Sequence, residues 1–254
     1  MRDHGLNEAI RAAGGVGALA RKIGIAQPSV SGWTRVPAER VLAVEAATRI
    51  DRSLLRPDLY APGAADDLDQ ARAHEYALLA HLLLTPPDAD LLQRLGALAG
   101  DASPLGNAHA ALAAAARATS AERVEREHFD LFIGVGRGEL LPYASYYLTG
   151  FLHERPLARL REQLATLGLE RAPEQPEPED HAGVLLEIMA GLAGGTLTAP
   201  PGTDRALFEA HLAPWIGRFF RDLARAETAS FYRAVGALGQ IFIDIETEAF
   251  ALPE

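Results

Sequence analysis

From residue 68 onward, apolar side chains recur three and four positions apart, the spacing of one buried face on a helix. The pattern predicts nine amphipathic helices, at 68–84, 89–99, 104–118, 121–132, 143–151, 156–167, 181–192, 204–225 and 228–250. No segment alternates apolar and polar residues as a half-buried strand would. The best short β candidate, Ile241-Phe242-Ile243-Asp244-Ile245, lies inside a longer helical pattern and reads as a buried helix face. The aromatic stripe of Phe208, Trp215, Phe219, Phe220, Phe231, Phe242 and Phe250 reads as core. Alanine, leucine and arginine are abundant and β-branched residues few, which favours the same all-α fold class.

Residues 6–36 follow a tighter pattern. Leu19, Ala20 and Ile23 face inward on one helix, Gly24 permits the left-handed turn that ends it, and Ile25 fills the gap before the next. A second helix starts at Gln27-Pro28, with proline tolerated in the first turn, and turns Val30 and Trp33 to the core. Gln27, Ser29, Ser31 and Thr34 remain outward. The spacing Leu19-Ala20-x-x-Ile23-Gly24, then Val30-Ser31-x-Trp33, resembles the Cro-like phage repressor and YdaS-type helix-turn-helix families over about residues 5–57. That resemblance implies DNA binding through Gln27, Ser29, Ser31 and Thr34, with Arg21, Lys22 and Arg35 meeting phosphates.

Charge divides the chain at the same place. Residues 1–60 hold nine Lys/Arg and six Asp/Glu, a net +3, whereas the remainder holds 15 basic and 28 acidic residues, a net −13. A small basic head suits a polyanion and an acidic body repels one. The expected domains are therefore a helix-turn-helix domain at 1–60, a Pro-Gly-marked linker at 61–67 and a larger all-helical domain at 68–254. Dimerisation would be needed for useful affinity for DNA.

Three ordered segments of the body carry its candidate chemistry. The first, Glu127-His128-Phe129-Asp130-Leu131-Phe132-Ile133-Gly134, ends a helix and continues into the glycine-rich Val135-Gly136-Arg137-Gly138. The second is Pro142-Tyr143-Ala144-Ser145-Tyr146-Tyr147. The third is Glu177-Pro178-Glu179-Asp180-His181, running into Leu185-Leu186-Glu187-Ile188-Met189. In this order and spacing they resemble the TorD/DmsD family of redox-enzyme maturation chaperones over roughly residues 68–252. Two departures from the family pattern bear on partner identity: the loop at 134–138 lacks the commoner proline, and Ala144 stands where an acid is frequent.

The resemblance implies a cytoplasmic, all-helical, non-enzymatic chaperone. Its client would be the precursor of a molybdenum-cofactor oxidoreductase such as a formate dehydrogenase or a dimethyl sulfoxide reductase-like protein, recognised through its twin-arginine signal peptide or its body. Such a receptor needs acids beside an apolar groove. Glu174, Glu177, Glu179 and Asp180 offer the first, and Phe132, Tyr143, Tyr146 and Tyr147 the second. The client-binding candidates are thus Pro178, Glu179, Asp180, His181 and Glu187 with Phe132, Gly134, Pro142, Tyr143 and Tyr146.

At the junction itself two readings stand side by side. Asp180 is expected as the N-cap of the following helix, with His181 in its first turn, where the helix dipole disfavours a cation. The alternative is peptide recognition by the Asp180-His181 pair, which the resemblance favours.

Other chemistry finds little support. The chain has no cysteine, and its eight histidines show no metal-ligand spacing. Gly134-x-Gly136-x-Gly138 follows a helix and precedes no Gly-Lys-Ser/Thr, unlike a phosphate loop. No cofactor is expected, although the resemblance leaves contact with a guanine nucleotide or the molybdenum cofactor open, and a homo-oligomer too. No nucleophile constellation supports a hydrolase. No apolar run reaches the ~20 residues that span a bilayer, and the N-terminus lacks an apolar signal core, so a cytoplasmic location is expected. The competing function is a transcription regulator whose helical body senses a precursor or a ligand.

Overall fold

In the computed structural model, which describes residues 2–60, 64–170 and 176–252, the chain divides into two compact units, Met1–Asp69 and Gln70–Glu254. Each has its own apolar core.

The first unit is built from α1 (His4–Ala13), α2 (Val16–Lys22), α3 (Gln27–Ser31), α4 (Val41–Thr48) and α5 (Arg52–Leu55). Asp3 caps α1 by accepting from the Leu6 amide at 2.9 Å. Gly24 takes the expected left-handed conformation, φ 71°, between α2 and α3. Leu19, Ala20 and Val30 are buried as predicted, and Ile23, Ile25 and Trp33 pack partly buried against them. Helix α1 lies close against α5 at Gly5, where a Cβ would lie 2.4 Å from the Leu54 carbonyl oxygen.

The second unit contains α6 (Ala64–Leu84, from Gln70 on), α7 (Ala89–Gly96), α8 (Pro104–Arg117), α9 (Ala121–His128), α10 (Ala144–Thr149), α11 (Arg155–Thr166), α12 (Ala182–Ala193), α13 (Thr203–Leu207), α14 (Ile216–Leu223) and α15 (Phe231–Ala251). No strand occurs among the described residues, and the chain is all-α as expected. Ala61, Pro62 and Gly63 of the expected linker lie outside the described residues, and α6 is already helical from Ala64.

Two predicted helices end differently. The helix expected over 121–132 widens after His128 into a π turn, Phe129–Ile133, which Gly134 terminates at φ 63°. The helix expected over 204–225 is broken. A π turn at Phe208–Leu212 follows α13, and the chain turns at Ala213–Trp215 before α14 begins. Pro214 explains the break, since it has no N–H to give the preceding turn. The Trp215 indole donates to the His211 carbonyl at 2.7 Å. The expected helical face at 241–245 lies within α15, with Phe242 and Ile243 buried.

Helix α15 crosses the middle of this core. It packs on α14 so closely that a Cβ on Gly239 would meet the Phe220 ring at 2.3 Å. No side chain of its own caps α15. The buried carboxylate of Glu127, from α9, accepts the amides of Ser230, Phe231 and Tyr232 at 2.7, 3.1 and 2.7 Å. Near its other end, buried Glu246 receives the Arg72 guanidinium at 2.9 and 2.8 Å and the Tyr76 hydroxyl at 2.7 Å. Tethers at both ends thus fix α15 against α6 and α9.

Candidate functional site

The second and third sequence segments are sewn together. Tyr143 and His181 are both extended and form an antiparallel bridge. The Ala144 amide donates to the Asp180 carbonyl at 2.9 Å, and the Ala182 amide to the Pro142 carbonyl at 2.7 Å. Tyr143 and His181 also pack ring edge to ring face, 5.2 Å between centroids.

This geometry corrects the expected cap. His181, not Asp180, is the N-cap of α12: its Nδ1 accepts from the Gly183 amide at 3.0 Å. Asp180 sits one residue earlier and turns toward the other strand of the bridge. Its Oδ2 accepts from the Ser145 amide at 2.9 Å and from the Ser145 hydroxyl. Asp180 therefore does cap a helix, but the helix is α10, 35 residues earlier in the chain. The bridge is the physical reason, because it brings the start of α10 against the start of α12.

Both residues are buried, Asp180 at 1% and His181 at 4% exposure. Burial, with a smaller contribution from His128, depresses the His181 pKa to about 3, so the imidazole is neutral at physiological pH. His128 is itself buried, its Nε2 3.3 Å from the Leu83 carbonyl oxygen, and burial lowers its pKa as well. Gly183 completes the junction: a Cβ there would lie 2.6 Å from Leu84 Cγ, so α12 rests directly on α6.

Around this buried knot the remaining candidates separate. Phe132 is partly buried, edge-on to His128 and Tyr232 at 5.0 and 5.4 Å. Gly134 serves the turn, since a Cβ would approach the Arg137 carbonyl oxygen to 2.2 Å. Pro142 is buried in the bridge. The Tyr143 hydroxyl donates to Glu177 at 2.7 Å, and burial and that carboxylate raise its pKa. Pro178 is half-buried beside Glu179, which holds Arg161 of α11 at 3.0 and 2.8 Å. Glu174 lies outside the described residues.

Glu187 is exposed on α12 and stands between two clefts. One, of about 370 Å³, has a floor of Leu164, Leu169, Val184, Ile188 and Leu197 and a rim of Glu170, Glu179 and Glu187. The other is lined by Ala77, Ala80, His81, Leu84, Thr85, Pro176, Glu177 and Glu187. Acids beside an apolar surface are therefore present, but the apolar groups are aliphatic and come from α11, α12 and the loop residues Leu169 and Leu197. Sequence reasoning missed Glu170 and these aliphatic residues. The signal on α12 was available, because Val184, Glu187, Ile188 and Gly191 share a face at helical spacing. Tyr146 and Tyr147 line a different cleft, with Arg137 and Arg218.

In the first unit, Arg21, Lys22, Gln27, Ser29, Ser31, Thr34 and Arg35 are all exposed. Helix α3 is five residues long and ends at Gly32. Arg35 pairs with Asp58 at 3.2 Å, which offsets part of its charge. Among the described residues no group of three His, Asp or Glu side chains is placed to hold a metal ion. Among the same residues no helix is long and apolar enough to cross a membrane.

Both units find relatives. Residues 98–221 match the family described as nitrate reductase delta subunit, and residues 6–63 the family described as bacterial toxin YdaS. The chaperone protein TorD of Shewanella loihica is 27% identical over 204 residues, covering 71% of this chain and 93% of its own length. The TorD of Vibrio cholerae serotype O1 is 29% identical over 123 residues, and the match spans only 56% of that protein. A crystal structure described as a putative redox enzyme maturation protein from Archaeoglobus fulgidus aligns over 68% of this chain and 93% of its own, at 22% identity and a TM-score of 0.44. The matches bear out the resemblance of the body to the TorD-type maturation chaperones and of the head to the YdaS-type helix-turn-helix. The named relatives are chaperones rather than enzymes, in keeping with the expectation that this chain is not an enzyme.

Proposed function

We propose that the chain is a cytoplasmic maturation chaperone for a molybdenum-cofactor oxidoreductase such as a formate dehydrogenase. It would hold the arginine-bearing, apolar signal segment of the precursor. The observation that carries this reading is the cleft whose aliphatic floor is rimmed by Glu170, Glu179 and Glu187. A twin-arginine signal peptide places guanidinium groups next to an apolar stretch, and carboxylates bind guanidinium groups through charge-assisted, often bidentate hydrogen bonds. Asp180 and His181 support this cleft from within, since they fix the start of α12, which carries Val184, Glu187 and Ile188.

Calorimetry with a synthetic twin-arginine signal peptide tests the reading. Saturable binding is expected, weakened about tenfold by Glu187→Gln with Glu170→Gln, and to a similar extent by replacing the peptide's two arginines with glutamine. An absence of binding, or binding indifferent to both changes, refutes it.

A second reading is favoured by the head, whose match at residues 6–63 and exposed Gln27, Ser29, Ser31 and Thr34 suit a reader of DNA. On that reading the chain reports client supply to a promoter. Gel shifts with promoter DNA beside an adjacent oxidoreductase operon check it, and no retardation at low salt counts against it.

A further inference from the structure

The cleft of about 450 Å³ lined by Tyr146 and Tyr147 carries two arginines beside two carboxylates, Glu139 and Asp222. Arg137, from the glycine-rich loop, lies over the Tyr146 ring at 5.2 Å and donates to its hydroxyl at 2.7 Å. Arg218, from α14, lies over the Tyr147 ring at 4.9 Å and donates to the Tyr147 carbonyl. The two rings pack edge to face, 6.1 Å apart, so the guanidinium groups are held by one aromatic pair. Both arginines are exposed, and among the described residues neither makes an ion pair.

The two carboxylates keep their charge, but their oxygens are hydrogen-bonded within the chain rather than to the arginines. Glu139 accepts the amides of Glu227 and Thr228 at 2.6 and 3.0 Å, and Asp222 accepts the Tyr147 hydroxyl at 3.0 Å. A guanidinium carries five N–H donors, so each arginine keeps several for a ligand. Stacking on tyrosine orients a guanidinium at little cost in freedom, which favours bidentate capture of a planar anion. Apolar groups adjoin the charge: Leu148 on the wall is 44% exposed and Phe151, just past Gly150, is 69% exposed.

We propose that this cleft binds an acidic peptide segment in which an apolar residue adjoins the carboxylates. The site shares no residue with the Glu187 cleft, and unlike that cleft it carries arginines. On a body of net −13, two stacked arginines without ion-pair partners among the described residues mark a place where an acidic segment can land. The proposal does not depend on what occupies the Glu187 cleft.

The test is fluorescence anisotropy of the full chain with a labelled peptide carrying two adjacent aspartates followed by Leu-Phe. Saturable binding is expected, weakened about tenfold by Arg137→Gln and by Arg218→Gln, more by both, and about as much by asparagine in place of the peptide's aspartates. Glu187→Gln leaves it unchanged. Circular dichroism of the variants confirms that they are folded. Absence of saturable binding overturns the proposal, as does binding indifferent to the arginine variants in folded protein. Displacement by inorganic phosphate as effective as by unlabelled peptide also overturns it, because the cleft would then hold any anion. Displacement by a basic twin-arginine peptide would merge the two clefts and overturn it as well.

Discussion

Replacing His181 by asparagine isolates one titration in the stability of the body. The neutral ring accepts from the Gly183 amide through Nδ1, so its proton resides on Nε2. Charging it puts a proton on Nδ1, removes the cap bond, and sets a cation at a helix N-terminus inside the protein. Burial, with a smaller contribution from His128, depresses the folded pKa from 6.5 to about 3. The unfolded chain then binds more protons than the folded one between those values, so stability rises with pH across that window. The contribution is fully present above about pH 6.5, declines as pH falls through that value, and is gone near pH 3. From the two pKa values, the loss relative to pH 8 is about 2 kcal/mol at pH 5. Asparagine keeps an N-cap acceptor and does not titrate, although it gives up the packing against Tyr143 at every pH. The assay is urea unfolding followed by Trp215 fluorescence in a Trp33→Phe background, since the chain has two tryptophans. Wild type should lose about 2 kcal/mol more than the Asn variant between pH 8 and pH 5. His128 shifts in the same direction but is common to both proteins, as are the carboxylates. Equal pH slopes for the two proteins would refute the account of a buried, neutral cap.

Glu127→Ala leaves the first amides of α15 without their buried acceptor, and should destabilise the body by on the order of 3 kcal/mol in the same urea assay. Asp180→Ala removes the acceptor for the Ser145 amide and hydroxyl, and is expected to cost about 2 kcal/mol. Asp180→Asn keeps one acceptor oxygen and should recover part of that loss. Any fall in signal-peptide binding on Asp180→Ala should therefore track the lost stability, whereas Glu187→Gln should weaken binding at unchanged stability.

The helical architecture was legible because burial repeats with the helical period, and all nine stretches proposed for the body contain helix in the structure. The exceptions have local causes. Pro214 sits in the middle of an otherwise periodic stretch, and periodicity registers apolar spacing rather than a missing N–H. The π turn at Phe129–Ile133 keeps its apolar residues at spacings that a normal helix also allows. The cap at α12 was misassigned because Asp is a better cap than His in isolation, and the bridge that claims Asp180 for α10 joins residues far apart in sequence. Glu170 and Arg218 were invisible for a related reason. Each reaches its cleft from a segment that shares no motif with the others, so only the folded chain assembles them.

That Asp180 and His181 are buried changes what their motif does. A pair that reads a ligand must reach it, and here Asp180 Oδ2 is taken by Ser145 and His181 Nδ1 by the Gly183 amide. The bridge they complete joins the starts of α10 and α12, and those helices carry different chemistry outward. From the α12 side come Glu187 and its aliphatic face, while from the α10 side come Tyr146 and Tyr147 under two arginines. One buried junction thus holds an acidic cleft and an arginine-bearing one in fixed register. A substitution that loosens it should disturb both clefts together, while surface substitutions in either cleft should act singly. Binding of a basic and of an acidic peptide, measured on the same Asp180→Ala protein, distinguishes a shared foundation from two independent sites: loss of both supports the shared junction, and loss of only one argues against it.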